Sequence, residues 1–353
     1  MKSFRLEHFD AIPDGKPLRT FPGIALALLA SAVLLAPASL ALADECAKEP
    51  VTVGFLPKLD TDPYFKVAQQ GAEEAAKEIG GKAIQVAPSQ ATAEAQIDFI
   101  NSLVTQKVGV IAISANDANA VAPALKRAAQ QGLRVVSYDS DVAGDARSVF
   151  ANQAKGDSLA EMMLESAYNL MGGEGDFAIL SSTPTATNQN AWIDFMKKKM
   201  AAEPKFAKMK LVQVAYGEES EQVNQQQALA LVQAFPDLKA IIVPAGIGLP
   251  AAARALEEAG LMGKVKLTGL APATLISKYI KDGSAQDIWW NVSDLGYLTY
   301  QAAQALAQCK ITGKEGEKFK AGRLGEYTIG AGGELVLGPA KIVTPENLAE
   351  FKF

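Results

Sequence analysis

Short runs of apolar and β-branched residues recur along this chain, separated by longer stretches in which apolar positions repeat every three or four residues. In the first half the runs are VTVGFLP (51–57), AIQVAP (83–88), GVIAIS (109–114) and RVVSYDS (134–140). Between them lie YFKVAQQGAEEAAKEIG, ATAEAQIDFINSLVTQ and NAVAPALKRAAQQG, whose periodicity is helical. Continuous apolar strands alternating with amphipathic helices predict βαβ units and a parallel sheet covered on both faces. The alternation restarts at RSVFANQ (147–153) and continues through DFAILSS (176–182), KLVQVAYG (210–217), KAIIVPAG (239–246), VKLTGLAP (265–272) and AQDIWWN (285–291). The chain is therefore read as α/β, with two doubly wound parallel-sheet lobes. The turn-like spacer Ala143-Gly144-Asp145 is read as the hinge.

The first 43 residues stand apart. Residues 1–22 are polar and mixed in charge, 23–43 carry no charge, Lys16 and Arg19 precede the apolar run, and Ala41-Leu42-Ala43 follows Pro37. This predicts a secretory signal peptide cleaved after Ala43 and a mature protein in the periplasm, with no membrane insertion after cleavage. The alternative is an uncleaved anchor, since about twenty apolar residues can span a bilayer.

Charge and composition then narrow the chemistry. Against 39 acidic residues stand 34 Lys and Arg, a net charge of −5, with no basic cluster interleaved with aromatics, so nucleic acid is not an expected partner. The one histidine, His8, falls in the segment read as removed, which excludes His-dependent triads, His-containing zinc sites and proton shuttles. No cofactor and no metal are expected. The two cysteines, Cys46 and Cys309, form either a disulfide or two separate thiols in an oxidising compartment, and their spacing leaves both open. Gly246-x-Gly248-x-x-Ala251 has the outline of a dinucleotide fingerprint, but Pro250 interrupts it and no acidic residue ends the next strand.

In doubly wound sheets ligands bind outside the carboxyl ends of the strands. The polar residues there are Lys58, Asp60 and Asp62, then Asn116 and Asp117, then Asp139 and Asp141; the second half adds Asn188, Gln189, Asn190, Tyr216, Pro244 to Gly246, Asn291 and Asp294. Asp139 is either a ligand carboxylate, able to accept from two vicinal hydroxyls, or a cap or hinge bond. Asn188, Gln189 and Asn190 offer amides that donate and accept, or simply cap a helix. Lys58 is either a ligand group or a solvated lysine at the strand end. Tyr64, Phe65, Tyr216, Trp289 and Trp290 offer apolar faces, or belong to the core. Trp289 and Trp290, adjacent on one strand, are expected to point to opposite faces, so that at most one lines a site.

FLPKL (55–59), ISANDANAVAPALKRA (113–128), VVSYDSDV (135–142), GDFAILSSTPTATNQNAWIDFMKK (175–198), VKLTGL (265–270) and IWWNVSDLGYLTYQ (288–301) carry a resemblance. Over nearly all of 50–353 the sequence resembles the ribose-binding type of periplasmic substrate-binding proteins of ABC importers, in the branch with rhamnose-binding and autoinducer-2-binding members. The resemblance implies the type I fold of that family, with lobes formed by 44–142 plus 292–325 and by 143–291 plus 326–353. It implies a monomer that captures a small neutral sugar between its lobes and delivers it to an ABC transporter permease. Of the autoinducer-2 binders' ligand groups, Lys58, Asp139, Gln189 and Pro244 match, whereas Asn188 replaces an Asp and Gly246 an Ala. Gln189 stands where ribose binders carry an Arg, and Asp294 where they place a polar cleft residue. Asp62, Tyr64, Phe65 and Tyr216 complete the expected ligand-binding set. A deoxyhexose such as rhamnose is the expected ligand, with autoinducer-2 as the alternative. A carboxylate-pair glycosidase using Asp139 and Asp294 is the enzymatic rival. The resemblance also places Cys46 and Cys309 in the same lobe.

Overall fold

The computed structural model describes residues 46–351, so the segment read as a signal peptide lies outside the described residues. The chain first forms β1 (Thr52–Leu56), α1 (Pro63–Ile79), β2 (Lys82–Gln85), α2 (Ala93–Thr105), β3 (Val110–Ile113), α3 (Ala122–Gln130), β4 (Arg134–Tyr138) and β5 (Val149–Asn152). It continues as α4 (Gly156–Met171), β6 (Gly175–Ser181), α5 (Thr187–Ala202), β7 (Met209–Tyr216), α6 (Glu221–Ala234), β8 (Leu238–Val243), α7 (Gly248–Glu258), β9 (Lys266–Gly269), α8 (Ala273–Lys281) and β10 (Ala285–Trp289). The last part supplies α9 (Val292–Ala307), β11 (Lys318–Lys320), β12 (Glu326–Thr328), β13 (Glu334–Val336) and β14 (Lys341–Val343).

Two six-stranded sheets result, in the orders β13-β5-β4-β3-β1-β2 and β14-β10-β9-β8-β6-β7. Every pairing in the first is parallel. In the second only β14, against β10, runs antiparallel. The central strands explain the apolar runs: all four residues of β3 are buried, because helices cover both faces of its sheet. One core, with Leu56, Ile100, Ile113 and Leu125, lies under α2 and α3. Another, with Leu180, Ile241, Leu256 and Ile276, lies under α6 to α8. The largest runs from Val53 and Phe55 through Trp290 to Met163 and Ile179, joining the inner faces of the two lobes.

β5 corrects the hinge read from sequence. It pairs with β4 in the first sheet rather than opening the second, so residues 143–148 form a connection within one lobe. Asp141 holds that connection, accepting from Arg147 Nε at 2.9 Å and from Arg147 Nη2 at 2.6 Å. The chain passes between the sheets instead at 153–155, at 290–291 and at 337–340. The segment 326–353 is likewise divided: β12 pairs with β11, β13 joins the first sheet, and only β14 joins the second. α9 returns to the first sheet and packs on α1.

That helix pair is built on two glycines. A Cβ on Gly71 would lie 1.8 Å from Ser293 O, and one on Gly296 1.8 Å from Ala68 O. Both contacts are with backbone, which cannot swing aside. Gly296→Ala should therefore lower stability by about 1–3 kcal/mol through overpacking, read as a lower urea midpoint at unchanged slope; an unchanged midpoint contradicts this packing.

Cys46 and Cys309 form a disulfide with a Cα–Cα distance of 5.4 Å, tying the segment before β1 to the end of α9. Ala47 N donates to Ala307 O at 2.9 Å beside it. Replacing both cysteines by serine should cost about 2–4 kcal/mol by releasing the unfolded chain. Equal urea midpoints for the oxidised parent and the double variant would refute it.

Candidate functional site

The carboxyl ends of both sheets face one cleft, lined from the first lobe by Lys58, Asp62, Tyr64, Phe65 and Asp139, and from the second by Asn188, Gln189, Trp192, Glu219, Pro244 and Gly246. The space between these residues, counted together with the part open to solvent, is about 680 Å³. Its remaining wall is largely apolar, with Val67, Leu270, Ala271, Pro272, Ile288, Trp289, Trp290 and Val292.

Lys58, 3% exposed, follows β1. Its Nζ donates across the cleft to Asn188 Oδ1 at 2.9 Å and to Gln189 Oε1 at 3.1 Å. A buried ammonium needs such partners, because desolvation would otherwise penalise it by several kcal/mol. Both acceptors lie in the first turn of α5, where Asn188 Oδ1 also accepts from Gln189 N at 3.0 Å. The backbone beneath Lys58 is set by buried amides: Asn116 Nδ2 donates to Lys58 O at 3.0 Å, and Gln96 Nε2 to Pro57 O at 3.0 Å and Ser114 O at 2.8 Å. Asn116 is thus scaffold, not ligand group. Asp117 turns the next loop, accepting from Asn119 N and Ala120 N.

Asp139 comes directly after β4 and has a φ of 60°, a left-handed conformation that Asp and Asn tolerate better than most residues. The turn aims its carboxyl group into the cleft, where Oδ2 accepts from Ser114 Oγ at 2.7 Å. Asp62 caps α1, accepting from Tyr64 N at 2.9 Å, with Pro63 at the first helical position. Burial, then the Glu219 carboxylate, raises the Asp62 carboxyl group to about 7. The Tyr64 hydroxyl accepts from Trp290 Nε1 at 3.2 Å. Burial and then the charge of Asp139 push the Tyr64 and Tyr138 phenols above their usual range.

Two residues expected at the site lie elsewhere. Tyr216 ends the edge strand β7 and donates to Asn190 Oδ1 at 3.4 Å, outside the cleft lining. Asp294, in the first turn of α9, pairs with Arg323 Nη1 at 2.5 Å and does not line the cleft either. The Asp139–Asp294 carboxylate pair is therefore not brought together. The two tryptophans at the end of β10 diverge as expected: the Trp290 ring packs on Tyr64, centroids 6.1 Å apart, whereas the Trp289 ring packs on Phe351 at 4.8 Å, although both residues border the cleft.

Glu219, Trp192 and the Leu270–Pro272 loop were missed in the sequence. Glu219 lies three residues beyond β7 with a φ of 51°, and Ser182 Oγ donates to its Oε1. Trp192 reads as an ordinary core position of α5 and is almost wholly buried. The loop after β9 is fixed by Asp287, a wholly buried carboxyl group whose Oδ1 accepts from Ala271 N at 2.9 Å and which desolvation holds well above the usual carboxylate range. Among the described residues, no group of three His, Cys, Asp or Glu side chains is placed to hold a metal ion.

The arrangement can enclose a small hydroxylated molecule between an apolar wall and acceptors and donors from both lobes. Residues 53–314 match the model of the periplasmic binding protein domain family. A D-ribose/D-allose-binding protein of Pseudomonas aeruginosa is 26% identical over 271 residues, 72% of this chain and 82% of the relative. An ABC transporter solute-binding protein from Clostridium phytofermentas, solved with bound L-rhamnose, is 38% identical with a TM-score of 0.83, over 85% of this chain and 98% of that one. LsrB from Clostridium saccharobutylicum, in complex with AI-2, is 25% identical with a TM-score of 0.80, over 86% of this chain and all of that one. With a family match across most of its length and two parallel-sheet lobes around one cleft, the chain belongs to the periplasmic binding proteins, in their type I fold.

Proposed function

We propose that this protein is the extracytoplasmic receptor of an ABC sugar importer, and that it captures a deoxyhexose such as L-rhamnose between its lobes. The observation that carries the reading is the composition of the cleft. Lys58, Asp62 and Asp139 on one side and Asn188, Gln189 and Glu219 on the other supply donors and acceptors for ring hydroxyls. Leu270, Pro272, Ile288 and Val292 supply an apolar surface on which a sugar methyl group is better placed than a hydroxymethyl, whose hydroxyl would lose its water without gaining a partner. The likeness to the rhamnose-bound protein supports the same choice. Asn188 in place of a carboxylate speaks against autoinducer-2, a ligand dense in hydroxyl groups.

The reading is of binding without reaction. The family matched is one of binding proteins, and the Asp139–Asp294 pair that a glycosidase reading needed is not formed, since Asp294 is taken up by Arg323. Capture biases an open–closed equilibrium, and the closed lobes offer a composite surface to the membrane permease. The family supports a periplasmic location, reached after cleavage following Ala43. One chain completes the cleft from its own two lobes, in keeping with a monomer.

Isothermal titration calorimetry with L-rhamnose, D-ribose, D-allose and autoinducer-2 tests the proposal. L-rhamnose should bind in the micromolar range, worth about 8 kcal/mol. Asp139→Ala should weaken it by about 2–4 kcal/mol, as loss of a charge-assisted bond, and Gln189→Ala by about 1–2 kcal/mol. Tighter binding of autoinducer-2 than of any sugar would overturn the ligand assignment, and an unaffected Asp139→Ala variant would overturn the site.

A further inference from the structure

Resting on that reading of the cleft, one of its carboxyl groups differs in setting from the others. Asp62 has one oxygen committed to the N-terminus of α1, where Oδ1 accepts from Tyr64 N at 2.9 Å. The same oxygen lies 3.9 Å from where a Cβ on Gly246 of the second lobe would stand, so the opposite lobe comes close to it. Only 8% of the residue stays exposed. It shares the cleft with Glu219, which the second lobe brings up on the turn after β7, and with Asp139 at the end of β4.

Among the described residues that line the cleft, Lys58 is the one cation; its ammonium turns to the amide oxygens of Asn188 and Gln189 and is the least of the influences on Asp62, in the lowering direction. Tyr64 on α1 and Tyr138 on β4 are the other titratable groups facing Asp62. Asn188, Gln189 and Gly246 are neutral. Closing the lobes thus withdraws Asp62 from water while adding the carboxylate of Glu219 to that of Asp139, and both effects favour its neutral form.

We propose that closure on the ligand takes up one proton from solvent at Asp62, which then serves in the closed site as a neutral carboxylic acid, able to donate a hydrogen bond to a ligand hydroxyl. On opening, water returns to Asp62, Glu219 withdraws and the proton leaves. In the closed arrangement the Asp62 carboxyl group stands at about 7, with desolvation the larger cause and Glu219 the next. The sign follows from linkage: the closed state binds the proton more tightly than the open one, so affinity rises as pH falls from above 7 towards the ordinary carboxylate range. An anionic ligand would meet the remaining carboxylates of Asp139 and Glu219, whereas a neutral sugar meets acceptors for its hydroxyls and one donor.

Calorimetry in buffers of different ionisation enthalpy measures the proton directly, using whichever of L-rhamnose, D-ribose, D-allose and autoinducer-2 gives the largest heat. The expected result is uptake approaching one proton near pH 6, with Kd tightening about tenfold between pH 8 and pH 6. Asp62→Asn keeps an α1 cap and a neutral donor, and should bind with a pH-independent Kd and a buffer-independent heat. Glu219→Gln, which leaves the α1 cap untouched, should shift the tightening to lower pH. Binding with a flat pH profile and no buffer dependence in the parent overturns proton uptake and leaves the sugar reading standing. Heat from none of the four ligands overturns the sugar reading and the proton proposal with it.

Discussion

The ammonium of Lys58 is buried and has its partners in the opposite lobe. That constraint organises much of the cleft. A buried cation must be fully hydrogen-bonded, so the loop after β1 and the first turn of α5 are held to each other wherever the lobes meet. The first lobe prepares for this with neutral amides: Gln96 and Asn116, both buried, bond to the backbone around Pro57, Lys58 and Ser114. The second prepares with the helix start at Thr187, which brings Asn188 and Gln189 to the same point. The cleft thus presents a network of donors and acceptors rather than an apolar void.

Backbone conformation does the remaining positioning. Asp139 and Glu219 both sit in left-handed conformations just past strand ends, and both carry carboxyl groups into the cleft. Strain of this kind costs of order 1–3 kcal/mol and persists where surrounding structure over-determines it; here Ser114 and Ser182 donate to the two carboxylates. The Tyr64–Trp290 hydrogen bond ties α1 to one of the three crossings between sheets, so the aromatic wall is attached to a segment through which any hinge motion must pass.

Much of this was legible in the sequence, because parallel strands covered on both faces leave a strong signal. Runs such as VIAI and AIIV identify central strands, and the polar residues following them identify the cleft edge. Lys58, Asp62, Tyr64, Phe65, Asp139, Asn188, Gln189, Pro244 and Gly246 all come together there. What failed was what periodicity does not encode. Nothing in RSVFANQ says whether that strand adds to the sheet just finished or opens the next, and β5 proved to do the former. Tyr216 and Asp294 occupy strand-end and helix-start positions like the residues that line the cleft, yet one lies on an edge strand and the other is taken up by Arg323. Glu219 was hidden because a left-handed turn, invisible in the pattern, carries it back over the strand end.

The central claim is that a ligand draws two lobes together around this buried polar network. Small-angle X-ray scattering with and without a calorimetrically verified ligand tests it most directly. The account predicts that the liganded protein scatters as the closed structure described here, and that the ligand-free protein has a larger radius of gyration. Superimposable curves in the two states, at saturating ligand, would contradict it.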